Sequence, residues 1–298
     1  MWFILIFLLN YWNECAAVSG GDVANYSQYN YIVSVQNSSG DHFFAGVIIS
    51  NYHVLTTCAD LAEINEHEVV PYPNLVKMRI AAGMSPKAPE AIRYPEMAFI
   101  HPSCKWGPDI IQYDLGIMKT FEPWDFSTGN IGVARLPREN WVKLDERITA
   151  MVENGAVCNA LGWGTVGEAT SDTLLVAKLK LSTWRECQKQ YCRECYNFEA
   201  ANICTAPKNQ HSICDGDQGG PLVCEGEVWG IIGYPHSVCG KPHYHNYART
   251  GTRTSKSWIG GISGNFGQFK MAGSNPIYMN NILLFAQCLV FIFHYLLN

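Results

Sequence analysis

One glycine-rich segment carries most of the candidate chemistry of this chain: Cys214-Asp215-Gly216-Asp217-Gln218-Gly219-Gly220-Pro221-Leu222. Gly and Asp both favour turns, so the segment predicts a tight loop. The residue at its centre, Gln218, offers a carboxamide whose nitrogen lone pair is delocalised into the carbonyl. Its oxygen accepts hydrogen bonds, but the group cannot be activated by a base to act as a nucleophile.

The same segment resembles the Gly-Asp-Ser-Gly-Gly-Pro signature of trypsin- and chymotrypsin-like serine proteases, with Gln218 at the position of the nucleophilic serine. A second stretch, Val54-Leu55-Thr56-Thr57-Cys58-Ala59-Asp60, resembles the family's Val-Leu-Thr-Ala-Ala-His-Cys. Aligned without gaps, it has Ala59 at the position of the catalytic histidine. An alternative register that matches Cys58 to the family's cysteine puts Thr57 there instead. Either register lacks the general base.

A third motif, Tyr113-Asp114-Leu115-Gly116-Ile117, resembles the family's Asp-Ile-Ala-Leu-Leu, so the resemblance implies that Asp114 is the triad aspartate. That carboxylate normally orients an imidazole and stabilises its protonated form. Without the imidazole, we expect Asp114 to serve as a structural hydrogen-bond acceptor.

Short β-rich runs alternate with turn clusters along the chain, and few segments show helical periodicity, which predicts an all-β sandwich or barrel. The resemblance extends over residues 18–263 and implies two six-stranded Greek-key β-barrels of the trypsin-like kind with a short C-terminal helix around Trp258-Ile259. Composition alone does not distinguish this two-barrel fold from a β-sandwich.

Both ends of the chain differ in character from residues 18–263. Residues 1–17 indicate a secretory signal peptide, although the missing basic n-region leaves an uncleaved signal anchor as an alternative. Cleavage would free Val18, and the resemblance implies that its amino group pairs with Asp217. Residues 264–298 form a polar linker and a hydrophobic tail, read as a GPI-attachment signal, with a transmembrane anchor or a simple extension as alternatives.

Twelve cysteines indicate an oxidising compartment. The resemblance implies three disulfides: Cys158–Cys224, Cys187–Cys204 and Cys214–Cys239. We expect Cys58 to be a free thiol, because the family's partner cysteine would fall at Phe44. Three other cysteines are left unassigned: Cys104, Cys192 and Cys195. The four-ligand spacing of a zinc site is absent, so we predict neither a metal site nor a cofactor.

The substrate-facing positions also depart from the family pattern. Ser212 would stand at the base of the specificity pocket. Gly233-Tyr234-Pro235 replaces the family's Ser-Trp-Gly strand, and its proline lacks the N–H that would pair with an extended peptide. The backbone N–H groups of Gly216 and Gln218 could still form an oxyanion-hole-like nest.

These features predict a serine protease homologue that is secreted or anchored at the outer cell surface and binds proteins without cleaving them. Its expected partners are a protease, a protease substrate or a protease inhibitor. The alternatives are an active endopeptidase with an unrecognised arrangement and a structural or adhesion glycoprotein. Sequons at Asn25 and Asn37 fit glycosylation. The net charge of −5, without a dense basic run, argues against nucleic acid or an anionic membrane surface as a partner.

Overall fold

The computed structural model describes residues 21–65, 68–71, 75–107, 110–166, 169–191, 198–208, 211–233, 239 and 241–264. Five residues named above lie outside the described residues: Val18, Cys192, Cys195, Tyr234 and Pro235. The expected signal peptide and the hydrophobic tail lie outside them as well. Within the described ranges, no helix is both long and apolar enough to cross a membrane.

The described residues form twenty short strands and four α-helices. In chain order the strands are β1 (Asp22–Val23), β2 (Ile32–Asn37), β3 (His42–Ile48), β4 (His53–Thr56), β5 (Ala62–Asn65), β6 (Glu68–Pro71), β7 (Met78–Ala82), β8 (Ala91–Arg93), β9 (Pro95–Ile100), β10 (Lys105–Gly107), β11 (Ile110–Gln112), β12 (Gly116–Thr120), β13 (Val157–Gly162), β14 (Thr165–Val166), β15 (Ala169–Thr170), β16 (Leu175–Ser182), β17 (Asn202–Thr205), β18 (Pro221–Cys224), β19 (Glu227–Ile232) and β20 (His245–Arg249). The helices are α1 (Trp141–Glu153), α2 (Trp184–Tyr191), α3 (Phe198–Ala201) and α4 (Arg253–Ser263).

The first barrel is a seven-stranded antiparallel sheet in the order β8-β7-β2-β3-β4-β12-β9. Four strands separate β7 from β9 in this order, yet the two contact each other, so the sheet curls around its core. Its strands are rich in β-branched residues, which fit a pleated and buried surface. Ile32, Val33 and Ile80 are completely buried there.

The second barrel follows the order β1-β16-β13-β18-β19-β20-β17, and a further pairing between β16 and β17 closes it into a ring of six strands. Its core contains Trp229 and Tyr247, both fully buried. The predicted fold of two β-barrels with a short C-terminal helix is therefore confirmed. Each sheet has one strand more than the predicted six: β8 in the first and β1 in the second.

Helix α4 is the predicted C-terminal helix. The Thr252 side chain caps its start by accepting a hydrogen bond from the Ser255 N–H, and Gly264 ends it in the left-handed conformation. Ile259 on this helix is buried in the main core. The sequence pattern did not predict α1, which buries Leu144 and Met151 one heptad apart along a single face.

The glycine-rich loop joins the two barrels. Ala45 N–H on β3 donates to the Gln218 carbonyl oxygen at 2.6 Å, and Gly219 N–H donates to the Ile232 carbonyl oxygen on β19 at 2.9 Å. Gly219 has φ +77°, and a Cβ there would lie 1.9 Å from the Ala45 carbonyl oxygen. Only glycine fits this position, because both the backbone conformation and the space exclude a side chain.

We expect Gly219→Ala to destabilise the protein by about 3–5 kcal/mol, since it adds a backbone collision to the strain of a positive φ. Gly226→Ala is the matched control, because Gly226 has φ +76° with nothing within 4 Å of an added Cβ. Its expected cost is about 1–2 kcal/mol, from the backbone conformation alone. Urea unfolding of both variants measures the difference, and equal losses would contradict the close approach at Gly219.

Candidate functional site

Gln218 turns its side chain back onto its own loop. Its carboxamide oxygen Oε1 accepts a hydrogen bond from the Gly216 N–H at 2.5 Å, and only 6% of the residue is exposed. The left-handed conformation of Gly216, with φ +88°, belongs to the turn that brings these two groups together. The Gly216 donor of the expected nest is thus already engaged within the chain.

The other side of Gly216 is held by a histidine. The ring Nε2 of His42 lies 2.8 Å from the Gly216 carbonyl oxygen, and its Nδ1 lies 2.7 Å from the Ser34 hydroxyl. Because a carbonyl only accepts, Nε2 carries the proton and Nδ1 of the neutral ring accepts from Ser34. Burial lowers the pKa of His42 to about 4, so the ring is neutral at neutral pH.

A chain of polar groups continues from Ser34 away from the loop. The Gln36 amide donates to the Ser34 hydroxyl oxygen at 3.1 Å and to the Pro86 carbonyl at 2.7 Å, and Arg79 donates to the Gln36 side-chain oxygen at 2.8 Å. Sequence reasoning missed this network. The sequence pattern that could have indicated it is the polar residue at alternate positions of β2, Ser34 and Gln36. Such alternation normally predicts a strand face that is exposed to solvent.

Asp114 and Ala59 lie side by side. The Ala59 N–H donates to Asp114 Oδ1 at 2.8 Å, and the carboxyl group is completely buried. Oδ2 has no hydrogen-bond partner among the described residues. A Cβ added to Gly233 would lie 3.5 Å from it, so Gly233 faces this oxygen without offering a donor. Ala59 offers it only a methyl group.

The missing donors leave Asp114 poorly stabilised as an anion. Burial raises its pKa to about 7; the nearby Asp60 carboxylate adds to this shift, and the N–H groups of Ala59 and Cys58 oppose it. Asp60 itself accepts a hydrogen bond from the Thr57 hydroxyl. Burial nevertheless raises the pKa of Asp60 to about 6. Two carboxyl groups that ionise with difficulty therefore stand beside Ala59.

The expectation that Cys58 is a free thiol is wrong. Cys58 forms a disulfide with Cys104, 46 residues along the chain, with the Cα atoms 6.6 Å apart. The position at which the family's partner cysteine would fall is occupied by Phe44, a buried core residue on β3. Neither periodicity nor spacing indicates that the loop before β10 passes beside Cys58, because that approach is a product of the folded barrel.

The three disulfides implied by the resemblance are present in the structure: Cys158–Cys224, Cys187–Cys204 and Cys214–Cys239. Cys214–Cys239 anchors the start of the glycine-rich loop. With Cys58–Cys104, the described residues contain four bridges, a density that is typical of extracellular proteins.

Asp217 is the second buried carboxyl group of the site. Its Oδ2 accepts from the Cys214 N–H at 2.8 Å, and its Oδ1 has no partner among the described residues. Burial raises its pKa to about 7, against the opposing effects of the Cys214 and Gly164 N–H groups. The expected partner, the amino group of Val18, lies outside the described residues, so this pairing stays a prediction.

The predicted pocket residues are closely packed where they are described. Ser212 is completely buried and its hydroxyl donates to the Ile213 carbonyl oxygen at 3.1 Å. Gly233 N–H donates to the Asn246 carbonyl oxygen at 3.3 Å, which ties β19 to β20. His245 on β20 is only 2% exposed, and burial lowers its pKa to about 4.

The two glycosylation candidates differ in their surroundings. Asn25 is exposed, and its side-chain oxygen accepts from the Ser27 hydroxyl at 2.8 Å. Asn37 is half-buried at the end of β2, and its amide nitrogen donates to the Asp41 carboxylate at 2.8 Å. The amide nitrogen of Asn37 is therefore engaged, while Asn25 makes its contact through oxygen.

Residues 18–259 match the Trypsin family. The alpha-fibrinogenase albofibrase of Trimeresurus albolabris is 28% identical over 248 residues, which cover 80% of this chain and 85% of that protein. The chymase of Mus musculus is 31% identical over 145 residues, 47% of this chain and 52% of the chymase. Among solved structures, human heparin binding protein is 22% identical, with a TM-score of 0.61, over 87% of this chain and 99% of that one. At this identity the structural likeness concerns the fold alone.

The ionisation of Asp114 predicts a pH-dependent stability. Because its folded pKa is raised from 3.8 to about 7, the folded state holds the proton more tightly, and stability falls as pH rises from 4 towards 7. Asp114→Asn keeps an acceptor for the Ala59 N–H and removes the charge. The unfolding free energy of Asp114→Asn minus that of wild type should be larger at pH 8 than at pH 5, by on the order of 2 kcal/mol.

Urea unfolding of both proteins at the two pH values checks this expectation. Asp22→Asn serves as the control for the loss of a carboxylate, because the Asp22 side chain is largely exposed. If the unfolding free energies of wild type and Asp114→Asn changed with pH in parallel, the raised pKa of Asp114 would be contradicted.

The orphaned Oδ2 of Asp114 predicts that a donor at Gly233 stabilises the site. A Cβ fits there, with 3.5 Å to Oδ2 and 3.6 Å to the Asn246 carbonyl oxygen, both ordinary contacts. We expect Gly233→Ser to be more stable than Gly233→Ala by about 1–2 kcal/mol at pH 8, because only the hydroxyl can donate to the carboxylate. Thermal unfolding of Gly233→Ser and Gly233→Ala at pH 8 separates the effect of the hydroxyl donor from that of the added Cβ. Equal stability of the two variants would show that the hydroxyl does not reach Asp114 Oδ2.

Proposed function

The chain belongs to the trypsin family, and we propose that it is a member that acts by binding other proteins and does not cleave peptide bonds. The matched relatives carry protease names, such as snake venom serine protease and chymase. The proposal rests on the chemistry of the residues that stand where the resemblance implies catalytic groups, and not on those names.

The observation that carries the proposal is the position of the Gln218 side chain. A serine there would expose a hydroxyl for attack on a substrate carbonyl. The Gln218 carboxamide instead points its oxygen at the Gly216 N–H, 2.5 Å away. The substitution therefore removes the nucleophile and also occupies a donor that would stabilise the negative charge of a tetrahedral intermediate.

Ala59 supports the same conclusion. Its methyl group cannot accept or donate a proton. In the neighbouring Asp114, one carboxylate oxygen accepts a hydrogen bond from the Ala59 N–H, and the other has no partner among the described residues. Loss of the nucleophile or the base costs about a million-fold in turnover in a serine protease of another fold. What remains from binding and the oxyanion hole is roughly a thousand-fold over water, which is too slow for physiological proteolysis.

An active enzyme with a different arrangement needs another nucleophile and base within hydrogen-bond reach of each other. Ser34 and His42 meet that distance at 2.7 Å. Both are buried, however, and both ring nitrogens of His42 are committed, one to Ser34 and one to Gly216. A peptide cannot reach this pair without opening the first barrel, so the pair supports a structural role.

The partner we propose is an extracellular protein: a protease, a protease substrate or a protease inhibitor. Proteins of this family bind such chains across the cleft between the barrels, and this chain keeps the two-barrel scaffold. The proposal places the protein outside the cell, as a glycoprotein that is secreted or held at the surface by its C-terminal tail.

Incubation of the purified mature protein with a fluorophosphonate probe and with broad peptide libraries tests the absence of catalysis. We expect neither covalent labelling nor cleavage, because Gln218 and Ala59 stand where the resemblance implies the nucleophile and the base. The double variant Ala59→His/Gln218→Ser should gain measurable labelling, while each single variant should not, since nucleophile and base act together. Near-UV circular dichroism controls for folding. Labelling of the wild-type protein that survives repurification would overturn the proposal.

A further inference from the structure

Three potential metal-binding atoms meet beside Ala59. The Sγ atoms of Cys58 and Cys104 and one carboxylate oxygen of Asp114 all lie within 4.8 Å of one another. The three residues come from different segments: the loop after β4, the loop before β10 and the loop before β12. All three are buried, with exposed fractions of 0%, 8% and 0%. In the structure the two sulfurs are joined as a disulfide.

A second observation marks this cluster as incomplete. Asp114 Oδ2 is wholly buried and has no hydrogen-bond partner among the described residues, while Oδ1 is held by the Ala59 N–H. A buried carboxylate oxygen without a donor or a cation is costly and uncommon in folded proteins.

We propose that reduction of the Cys58–Cys104 disulfide converts this cluster into a binding site for a thiophilic divalent cation of the Zn²⁺ class, held by Cys58, Cys104 and Asp114. Thiolate and carboxylate oxygen are both accepted zinc ligands. A set of three protein ligands leaves the fourth tetrahedral position for water or an added ligand. Asp60 is engaged with the Thr57 hydroxyl and is not needed as a ligand.

The redox step needs an external dithiol as the reductant. Two electrons pass from the dithiol to the Cys58–Cys104 bond, the dithiol closes into its own disulfide, and two protein thiols form. Metal binding then displaces the two thiol protons. In a tetrahedral site with Zn–S distances of about 2.3 Å, two thiolates lie roughly 3.8 Å apart. The Cα separation of 6.6 Å leaves room for that spacing through side-chain rotation.

Cobalt(II) is the probe, because it binds zinc-type sites and its thiolate complexes absorb visible and near-ultraviolet light. The full mature chain is reduced with a dithiol, freed of reductant without oxygen, and titrated with Co²⁺. Alkylation followed by mass spectrometry reports whether Cys58 and Cys104 are free. We expect a tetrahedral cobalt–thiolate spectrum with one metal per chain in the reduced protein and none in the oxidised protein.

Two variants test the assignment of the ligands. Asp114→Asn keeps the Ala59 contact and loses the anionic ligand, so Co²⁺ affinity should fall at least tenfold. The double variant Cys58→Ser/Cys104→Ser retains the cysteines of the other three described disulfides. It should lose the cobalt–thiolate absorption band altogether. Both are compared with wild type by near-UV circular dichroism, so that a folding defect is distinguished from loss of a ligand.

Three results would overturn the proposal. One is an equal cobalt–thiolate signal in the double serine variant, which would place the metal on other cysteines. Another is the absence of any signal in folded wild-type protein whose Cys58 and Cys104 are shown to be free. The last is a wild-type chain that unfolds when these two thiols are freed and does not refold when Co²⁺ is added.

Discussion

The site depends on the way in which the backbone of Gly216 is held from both sides. Its N–H is taken by the Gln218 carboxamide and its carbonyl by the His42 imidazole, and none of these groups has free access to water. Buried backbone groups must find partners inside the protein, and here the partners come from the loop itself and from the first barrel. The loop that resembles a catalytic loop is thereby shaped by internal hydrogen bonds, without need of a substrate.

The same constraint explains why the two barrels are joined at this loop. Gly219 passes so close to the Ala45 carbonyl oxygen that a side chain is excluded, and Ala45 in turn donates to the Gln218 carbonyl. His42 and Ala45 both lie on β3, so one strand of the first barrel supports the loop at two points. The Cys214–Cys239 bridge holds the start of the loop on the side of the second barrel.

Against this well-satisfied loop stand two buried carboxyl groups that are not satisfied. Asp114 and Asp217 each use one oxygen for a backbone N–H and leave the other without a partner among the described residues. In a protein that uses a histidine beside Asp114, the imidazole would supply the missing donor. Here the side chain of Ala59 is a methyl group and Gly233, which faces that oxygen, has no side chain, so neither residue supplies a side-chain donor. The Cys58–Cys104 bridge occupies the neighbouring space.

Through its resemblance to the trypsin family, the sequence implied the two-barrel fold and three disulfides, and it predicted which residues stand at the three triad positions. These depend on local motifs and on their order along the chain, and Gln218 cannot become a nucleophile in any fold. Only the tertiary structure decided that Gln218 turns onto Gly216, that His42 supports the same residue from 174 positions away, and that Cys58 pairs with Cys104. These contacts join segments that are distant in sequence, and their partners are chosen by how the barrels pack, which no local pattern encodes.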